Sequence, residues 1–550
     1  MITDDLTALV EGALDNLRSD GSIPPDSNVP VEISRPQRPE HGEFATNVAM
    51  ALAGKAKTQP RKLAEMLAGA LPASELVSQV DVAGPGFINF HLSPKWLTGV
   101  LIDIAERGRD FGRGAYRDQK IQIEFVSANP TGPLHVGSGR NAAYGDALAR
   151  LLTAAGYEVS REYYINDAGK QMERFGASLH ARYLQALGRT AEVPEDGYQG
   201  EYLADLGKQL AAEFGEELVD GQARIRALGT ERMVDMHRRT LERFGVHFDR
   251  WTSETALHKA GKITDGIQRL IERGHTFEAD GAVWFRSSEL GAPRDQVIVR
   301  SSPEATPTYL GSDVGYLIDK IERGFDRVIY VWGADHHGNM AGLKAVAKAL
   351  EIQQPVEVIL HQMVNFVTPE GEAAKMSKRA GQIVTLDSLI DEVGTDAARF
   401  TLLSRTVDAT IDFDLDLVSS QTQENPVYYV QYQHARACSI LSNAAGEGIE
   451  PAEPDPTALD LLGHPSETAL IRKLAELPEL VVQSAELRAP HRLTHYAQAL
   501  ASDFSAFYRD CRVLTEDAEL SGARLRLADC TRVVLADTLD LLGVSAPESM

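Results

Sequence analysis

Two strand–helix–strand stretches, separated by a long charged segment, constrain the fold of this chain more than any other feature. In the first, a β-rich run at 119–126 precedes an apolar helical pattern at about 135–155, and 157–165 has the pattern of the next strand. In the second, strand-like runs at 327–332 and 356–360 flank a helical pattern. Strands joined by helical crossovers form a parallel sheet with right-handed connections. The order therefore predicts a split, doubly wound α/β core.

The segments on either side of this core follow different patterns, which predicts a multidomain chain. Residues 1–110 combine helical runs with a strand, a Gly-Pro-Gly turn and an alternating strand, so we expect an α+β domain there. Beyond 387 the pattern is helical to the end, which predicts an all-α bundle. The expected segments are 1–110 (α+β), 111–168 (first half of the Rossmann-type core), 169–285 (an insertion in the core), 286–387 (second half of the core), 388–425 (a helical connecting region) and 426–550 (the helical bundle).

The composition excludes several classes of protein. With 43% hydrophobic and 24% charged residues, the 550-residue chain is globular rather than disordered, collagen-like or a coiled coil. Its net charge of -24 argues against a protein that coats nucleic acid by bulk charge. A nucleic-acid partner would therefore need a local basic surface.

The cysteines and the apolar runs bear on cellular location. Cys438, Cys511 and Cys530 stand too far apart for a C-x-x-C pair, which favours neither a zinc site nor a disulfide framework and fits a reducing cytoplasm. No stretch approaches about 18 uncharged apolar residues, and the acidic N-terminus lacks a signal-peptide pattern. We therefore expect a cytoplasmic protein without a membrane partner.

The first candidate site is the start of the helix after the first core strand. His135-Val136-Gly137-Ser138 opens this helix, where free N–H groups and the positive dipole end suit a phosphate. Gly137 leaves room for a base or ribose, and His135 can donate to a phosphate oxygen. The P-loop pattern does not occur. Two alternatives stay open here: a dinucleotide fingerprint, because 137–142 fits G-x-G-x-x-A, and a structural turn with a buried histidine.

The second candidate site is the basic run Lys375-Met376-Ser377-Lys378-Arg379, which lies between two glycines. Such a loop can close over a polyphosphate and stabilise a leaving pyrophosphate, although a solvated basic turn has the same composition. Its combination with the His135 turn favours the nucleotide interpretation.

The third candidate site, Trp332-Gly333-Ala334-Asp335-His336-His337, follows a strand and opens a helix. It is therefore expected on the carboxyl edge of the sheet, where ligands bind in doubly wound folds. Asp335 can accept hydrogen bonds from ribose hydroxyls or from a cationic substrate. The adjacent histidines have no Cys or H-x-x-x-H partner, so we expect no protein-bound metal.

Together these motifs resemble those of class I aminoacyl-tRNA synthetases. The H-x-G-H motif of that class appears with Ser138 in place of its second histidine, and its K-M-S-K motif is intact at 375–378. The resemblance implies that the Rossmann-type core is catalytic and that ATP enters with Mg²⁺ held by phosphates and water. It implies His135, Lys375 and Lys378 as catalytic residues. The implied ATP-binding residues are His135, Gly137, Ser138, Gly333, Asp335, Met376, Ser377 and Lys378.

Further details resemble arginyl-tRNA synthetases. Ser127-Ala128-Asn129-Pro130 is similar to the S-x-N-x sequence before that family's histidine, and Tyr309 with Asp313 is similar to its Y-x-x-x-D pair, which holds the guanidinium. A carboxylate is the natural bidentate partner of arginine's planar fork of donors, although Asp313 could instead cap a helix. The implied arginine-binding residues are Glu124, Ser127, Asn129, Tyr309, Asp313 and His336.

The flanking segments resemble the tRNA-binding modules of the same family. In the N-terminal segment, which the resemblance implies to dock the tRNA elbow, Phe87 and Asn89 fit a pair that stacks on and reads an unpaired base. A turn and a core aromatic residue are the alternative there. Tyr432 and Arg436, one helical turn apart, match the opening of the helical anticodon-binding domain, and Met550 matches a methionine of the anticodon pocket. The region 388–425 is implied to contact the tRNA stem.

The resemblance implies an arginine–tRNA ligase. ATP and L-arginine would form arginyl-adenylate and pyrophosphate, and the arginyl group would pass to the 3′-terminal adenosine of tRNA(Arg), at the 2′-hydroxyl in this class. It also implies that tRNA must be present before arginine is activated. We expect no DNA partner and a monomer. The alternatives are another class I synthetase or a small-molecule adenylate-forming relative, a dinucleotide-dependent oxidoreductase and a catalytically silent RNA-binding paralogue.

Overall fold

The computed structural model describes residues 2–36, 38–301, 305–367 and 384–550. The predicted site residues Lys375, Met376, Ser377 and Lys378 lie outside the described residues. The described chain forms an N-terminal α+β domain, a parallel-sheet core and a helical C-terminal region, which confirms the predicted fold class.

The N-terminal domain packs helices against a four-stranded antiparallel sheet with strand order β1-β2-β4-β3. The apolar residues of its first helix recur every three to four positions, so that Leu6, Val10 and Leu14 are buried on one face. Its elements are α1 (Ile2–Ser19), β1 (Ile33–Ser34), β2 (Phe44–Thr46), α2 (Val48–Ala56), α3 (Pro60–Ala70), β3 (Val77–Ala83), β4 (Phe87–Leu92) and α4 (Pro94–Arg107).

The core is a five-stranded parallel sheet with strand order β12-β11-β5-β6-β7. The first strand of the core therefore lies in the middle of the sheet, and the two halves of the sequence build opposite sides of it. The elements are β5 (Lys120–Glu124), α5 (Val136–Ala154), β6 (Glu158–Ile165), α6 (Lys170–Ala186), α7 (Glu201–Phe214), α8 (Gln222–Arg243), β7 (Arg250–Ser253), α9 (Glu254–Lys259), α10 (Lys262–Glu272), β8 (Thr276–Ala279), β9 (Ala282–Phe285), β10 (Gln296–Val299), α11 (Tyr309–Glu322), β11 (Arg327–Gly333), α12 (His337–Ala349), β12 (Val356–His361) and β13 (Val364–Val367).

The predicted insertion at 169–285 was wrong in its extent. Helices α6, α7 and α8 do form a separate helical cluster, but β7 then returns to the core and pairs in parallel with β6. This strand has four residues and buries only one of them, so it leaves no apolar run in the sequence. The boundary at 285 also falls inside a three-stranded antiparallel sheet, because β9 pairs with both β8 and β10.

The region predicted to be helical at 388–425 also differs from the structure. It contains β14, which pairs in parallel with β13 and so joins the connecting region to the end of the core. The short Ile411–Asp414 strand lies between helical stretches and gave no separate periodic signal. The elements after the core are α13 (Leu386–Val393), α14 (Thr395–Leu402), β14 (Ile411–Asp414), α15 (Leu415–Ser419), α16 (Pro426–Gly446), α17 (Pro456–Leu459), α18 (Pro465–Leu474), α19 (Leu477–Glu486), α20 (His491–Asp510) and α21 (Ala518–Leu541).

Helix α5 lies between the core sheet and the C-terminal helices, and most of its residues are buried. On the C-terminal side, the Tyr144 hydroxyl donates to the Arg488 carbonyl at 2.7 Å. Arg399 of α14 is fully buried and donates to the Asp146 carboxylate of α5 at 2.6 Å. The helix that begins with the His135 motif is therefore packed against the core sheet on one side and hydrogen-bonded to the C-terminal region on the other.

Candidate active site

A cavity of about 1220 Å³ opens at the carboxyl ends of β5, β6 and β11. This is the edge where doubly wound sheets bind their ligands. The structure brings together there every predicted ATP- or arginine-binding residue that it describes: Glu124, Ser127, Asn129, His135, Gly137, Ser138, Tyr309, Asp313, Gly333, Asp335 and His336.

The spacing of the His135 motif has a steric reason. His135 is the N-cap of α5, and its Nδ1 accepts a hydrogen bond from the Ser138 amide at 3.3 Å. The imidazole then lies so close to the next turn that a Cβ at Gly137 would come within 2.8 Å of its Cε1. Burial lowers the pKa of His135, and the Asp335 charge only partly opposes the shift. The ring is therefore neutral near pH 7 and, with Nδ1 accepting, carries its proton on Nε2.

The nucleotide end of the cavity is open. Asp335 and His336 are exposed on the rim, whereas Ser138 is buried in the first turn of α5. A buried histidine that the sequence reasoning missed, His361, lies at the end of β12 in the same wall, and burial lowers its pKa to about 4. Only its position at a strand end could have indicated it.

The opposite end of the cavity is buried and acidic. The Lys320 ammonium lies 2.6 Å from one Glu124 oxygen, and the Ser127 hydroxyl donates to the other at 3.0 Å. The same ammonium lies over the ring of Tyr330, 3.6 Å from its centroid. The charge of Glu124 is therefore already compensated within the protein.

Asp313 adds a second carboxyl group to this end. Helix α11 begins at Tyr309 and is capped by Thr308, whose side chain accepts from the Gly311 amide, so the alternative role of Asp313 as a helix cap is wrong. Burial raises the pKa of Asp313 to about 8, with further contributions from the negative charges of Glu124 and Glu254. A cation placed beside it would restore its ionised form.

Glu254 is a third carboxyl group at this end, and sequence reasoning missed it. Its Oε1 accepts a hydrogen bond from the Ser312 hydroxyl at 2.6 Å, and burial raises its pKa. Glu254 directly follows β7, so recognising that strand as part of the sheet would have placed it on the ligand-binding edge. Asp313 and Glu254 thus form a pocket whose electrostatic balance favours a cation, with Tyr309 at its mouth.

Comparisons with known proteins agree with this arrangement. Three family models match: the arginyl tRNA synthetase N-terminal domain at 4–92, the catalytic domain of class I (R) tRNA synthetases at 102–414 and the DALR anticodon binding domain at 430–550. The arginine–tRNA ligase of Heliobacterium modesticaldum is 46% identical over 558 residues, which cover 99% of this chain and 98% of that protein. The chain belongs to the arginyl-tRNA synthetase family.

Other relatives agree with this membership. The arginine–tRNA ligase of Syntrophotalea carbinolica is 48% identical and is matched over 94% of this chain and 95% of its own length. The fold is shared with the Thermus thermophilus arginyl-tRNA synthetase, at a TM-score of 0.76 and 24% identity over 100% of both chains. Family membership confirms the predicted resemblance, and it excludes the dinucleotide-dependent oxidoreductase as an interpretation of the 137–142 turn.

In the segment that matches the synthetase N-terminal domain, the two predicted residues Phe87 and Asn89 differ in their exposure to solvent. Phe87 is 41% exposed next to the Gly-Pro-Gly turn, where its strand neighbour is Ala83 of β3. Asn89 is only 3% exposed, and at that position β4 has β2 on one side and β3 on the other. Of the two predicted residues, Phe87 is therefore exposed and Asn89 is buried in this structure, and their contact with an unpaired base stays a prediction.

In the segment that matches the DALR anticodon binding domain, Tyr432 and Arg436 do share a face of α16. The Arg436 guanidinium donates to the Tyr432 hydroxyl at 3.0 Å and lies 5.0 Å from the ring centroid of Tyr508 on α20. Tyr428 stacks on Tyr432 with ring centroids 6.3 Å apart. We refer to Tyr428, Tyr432, Arg436 and Tyr508 as the α16 face.

The C-terminal tail of the synthetase chain ends beside the same helix. The His434 imidazole of α16 lies 2.9 Å from the Pro547 carbonyl, which fixes the tail only three residues before its end. Met550 is 53% exposed. Tyr432 and Arg436 therefore lie on α16, and the tail that carries Met550 is held to the same helix, while their contact with an anticodon stays a prediction.

In the part of the chain that the structure describes, no helix is long and apolar enough to cross a membrane. Among the same residues, no group of three or more His, Cys, Asp or Glu side chains is arranged to hold a metal ion.

Proposed function

We propose that this chain ligates L-arginine to tRNA(Arg) in two steps. ATP and arginine form arginyl-adenylate and pyrophosphate, and the arginyl group is then transferred to the 3′-terminal adenosine of the tRNA. The observation that carries the proposal is a buried acidic pocket, Asp313 and Glu254, that opens into the same cavity as the His135 motif. Membership of the family, over nearly the full chain, supports the same reaction.

The activation step requires no nucleophile from the protein. An oxygen of the arginine carboxylate attacks the α-phosphate of ATP, and the bond from that phosphorus to the bridging oxygen breaks, which releases pyrophosphate. Catalysis is then positioning and charge stabilisation. The neutral His135 ring offers its Nε2 proton to a phosphate oxygen, and the free amides of the first turn of α5 add their dipoles.

The remaining charges on the phosphates need cations. ATP enters as its Mg²⁺ complex, with the metal held mainly by phosphates and water. Lys375 and Lys378 are the proposed partners of the departing pyrophosphate, and Met376 and Ser377 complete the ATP contacts with Gly333 and Asp335. Class I chemistry places the arginyl group on the 2′-hydroxyl of the terminal ribose.

Arginine is recognised at both of its ends in this proposal. Asp313, Glu254 and the Tyr309 hydroxyl hold the guanidinium, since a planar fork of donors pairs with carboxylates in two-point geometry. Ser127 and Asn129 hold the amino group and backbone, and His336 contacts the substrate from the rim. Glu124 also contacts the amino group and backbone of arginine, and its negative charge is balanced by the Lys320 ammonium.

The flanking modules bind the tRNA. Phe87 stacks on an unpaired base of the elbow, the region 388–425 contacts the stem, and Tyr432, Arg436 and Met550 contact the anticodon loop. The chain is proposed to act as a cytoplasmic monomer and to bind no DNA. Affinity for tRNA then falls with added salt despite the acidic total charge, because the phosphate contacts are local.

The test is arginine-dependent exchange of pyrophosphate into ATP, measured with each of the twenty amino acids, with and without total tRNA. Exchange with arginine alone among the amino acids supports the substrate and the reaction. Exchange that needs tRNA supports the order of binding that the family resemblance implies, and exchange without tRNA removes that requirement. No exchange with any amino acid, while tRNA still binds, would favour the silent RNA-binding alternative.

A further inference from the structure

The loop at 127–133, between β5 and α5, begins with a strained backbone. Val126 and Ser127 have φ values of 66° and 41°. A β-branched residue with positive φ is a rare outlier, and such conformations persist only when the surrounding structure fixes them. The same loop carries Ser127 and Asn129, which the proposed function assigns to the substrate. The groups that hold this loop therefore bear on substrate binding.

The core supplies one set of these groups. The Asn141 amide oxygen of α5 accepts from the Val126 amide at 2.8 Å, and the Tyr163 hydroxyl of β6 accepts from the Ala128 amide at 3.1 Å. These bonds fix the start of the loop. They leave its second half, from 129 to 133, to other partners.

The helices of the inserted segment supply those partners, one from each helix. Gln171 of α6 accepts from the Asn129 side-chain amide at 2.5 Å, and the Tyr202 hydroxyl of α7 donates to the Thr131 carbonyl at 2.6 Å. His237 of α8 donates from Nε2 to the Gly132 carbonyl at 2.7 Å. Each of the three helices therefore makes one side-chain hydrogen bond to a different residue of the loop.

His237 also connects the two sets. It is 1% exposed, and its Nδ1 lies 2.9 Å from the Tyr163 hydroxyl. Because the Gly132 carbonyl can only accept, Nε2 must carry a proton, which assigns the tautomer. Burial lowers the pKa of His237, so the ring is neutral and Nδ1 is an acceptor, which shares the single Tyr163 hydroxyl proton with the Ala128 carbonyl 3.0 Å from that hydroxyl. The imidazole therefore connects Tyr163 of β6 to the Gly132 carbonyl in the second half of the loop.

The cluster has a core of its own, built from residues such as Phe175, Leu206 and Ile225. Its last helix also places Val234 and Leu241 in the main core. The three loop contacts therefore stand on an element that is packed independently and anchored to the sheet. An element that is packed and anchored in this way can keep the strained loop in one conformation.

We propose that α6, α7 and α8 hold the loop 127–133 in its substrate-binding conformation, with Tyr202 and His237 as positioning residues for arginine. The inference rests on the proposed function, because it takes Ser127 and Asn129 as substrate contacts. Neither Tyr202 nor His237 is assigned a part in the chemistry. Their loss should raise the KM for arginine and leave the fold intact.

The test uses two matched substitutions of Tyr to Phe. Tyr202→Phe removes the hydroxyl that donates to the Thr131 carbonyl, and Tyr183→Phe removes one that donates to the Gly215 carbonyl within the same cluster, away from the loop. Each variant loses one hydroxyl that donates to a backbone carbonyl. Steady-state exchange with saturating ATP and tRNA should show an arginine KM raised roughly three- to tenfold for Tyr202→Phe and unchanged for Tyr183→Phe.

A second pair of variants tests the histidine. His237→Leu should raise the arginine KM at least as much as Tyr202→Phe, whereas His237→Gln keeps a donor near the Nε2 position and should recover part of the loss. Melting temperatures identify any variant that fails to fold, in which case the tyrosine pair decides. Equal effects of Tyr202→Phe and Tyr183→Phe on KM, or no effect of either, would overturn the proposal.

Hydrogen exchange of the peptide spanning 126–134 separates this inference from the proposed function. It needs no substrate and should be faster in Tyr202→Phe than in Tyr183→Phe. If the wild-type chain activates no amino acid but the exchange rates differ as expected, the proposed function fails and the positioning of the loop stands. Equal exchange rates in the two variants would overturn the inference even in an active enzyme.

Discussion

The pocket of Asp313 and Glu254, which we propose holds arginine, and the α16 face differ in burial and in charge. In the pocket, burial raises the pKa of both Asp313 and Glu254, and the negative charges of Glu124 and Glu254 raise that of Asp313 further. The α16 face places a guanidinium among tyrosine rings at the surface, with Tyr508 45% exposed. In the pocket, a small cation would restore the ionised carboxylates. The α16 face instead presents tyrosine rings and a guanidinium at the surface, which we propose contact the tRNA polyanion.

The contrast indicates how each region should respond to change. A buried charge acts at low effective dielectric, so loss of one group in the pocket should be large and local. Contacts on an exposed aromatic face are screened and shared, so single losses there should be smaller and should depend on salt. The following predictions run from the largest expected effect to the smallest.

Asp313→Asn should raise the arginine KM by roughly 30- to 1,000-fold, because it removes one charge of a buried ion pair with the guanidinium. The tRNA KM should change little. The matched control is Asp319→Asn on the same helix, whose carboxylate pairs with Arg323 and does not line the cavity. Similar arginine KM values for the two variants would mean that Asp313 acts through the helix and not on the substrate.

The arginine KM should fall as pH rises from 6 to 8 and then level off. With a pKa of about 8 in the free protein, Asp313 is mostly protonated below that pH, and the guanidinium binds its ionised form. Affinity should therefore change by about tenfold per pH unit below the pKa. Calorimetry in buffers of different ionisation enthalpy should detect proton release on binding at pH 7. The Asp313→Asn variant should lose this pH dependence, and a flat profile in the wild type would contradict the raised pKa.

Tyr432→Ala should raise the tRNA KM by roughly five- to thirtyfold, because it removes the ring on which Tyr428 and Arg436 stack. The arginine KM should stay within about twofold of the wild type, because Tyr432 does not line the cavity. The control is Tyr496→Phe, a buried hydroxyl of the same bundle that donates to the Lys473 carbonyl. An equal change in the control would indicate a general loss of bundle stability.

Arg436→Gln should have the smallest effect at low salt and the clearest effect on salt dependence. If Arg436 contacts one phosphate, the slope of log affinity against log salt should decrease by about one. Filter binding of tRNA at several salt concentrations measures the slope. An unchanged slope with weaker binding would assign Arg436 to base stacking instead.

The core could be predicted from sequence where periodic segments are long. The β5–α5–β6 unit and the β11–α12–β12 unit both follow apolar patterns bounded by turn residues, and the motifs fell on the correct sheet edge. The four-residue strand β7 has no such pattern, since its place depends on pairing with β6. Missing β7 also meant missing Glu254, which follows it directly.

The Phe87 and Asn89 pair shows a second limit. Alternation along a strand tells which side chains share a face, and it placed both on the same side of β4. It does not tell how far each position lies inside the sheet: Asn89 has strand partners on both β2 and β3, whereas Phe87 has one only on β3. The ion pair of Lys320 with Glu124 could not be predicted from the sequence either, because its partners are 196 residues apart in the chain.

The burial of α5 has a consequence for synthesis. This helix is made early, yet part of its surface is covered by α19 and α21, which lie more than 300 residues later in the chain. At a rate of about 5–20 residues per second, the interval between these events is on the order of tens of seconds. Throughout that time the helix carrying the His135 motif presents an uncovered apolar surface to the cell. A chain that stalls before residue 518 should therefore depend on chaperones and lack activity, even though its cavity residues have already been made.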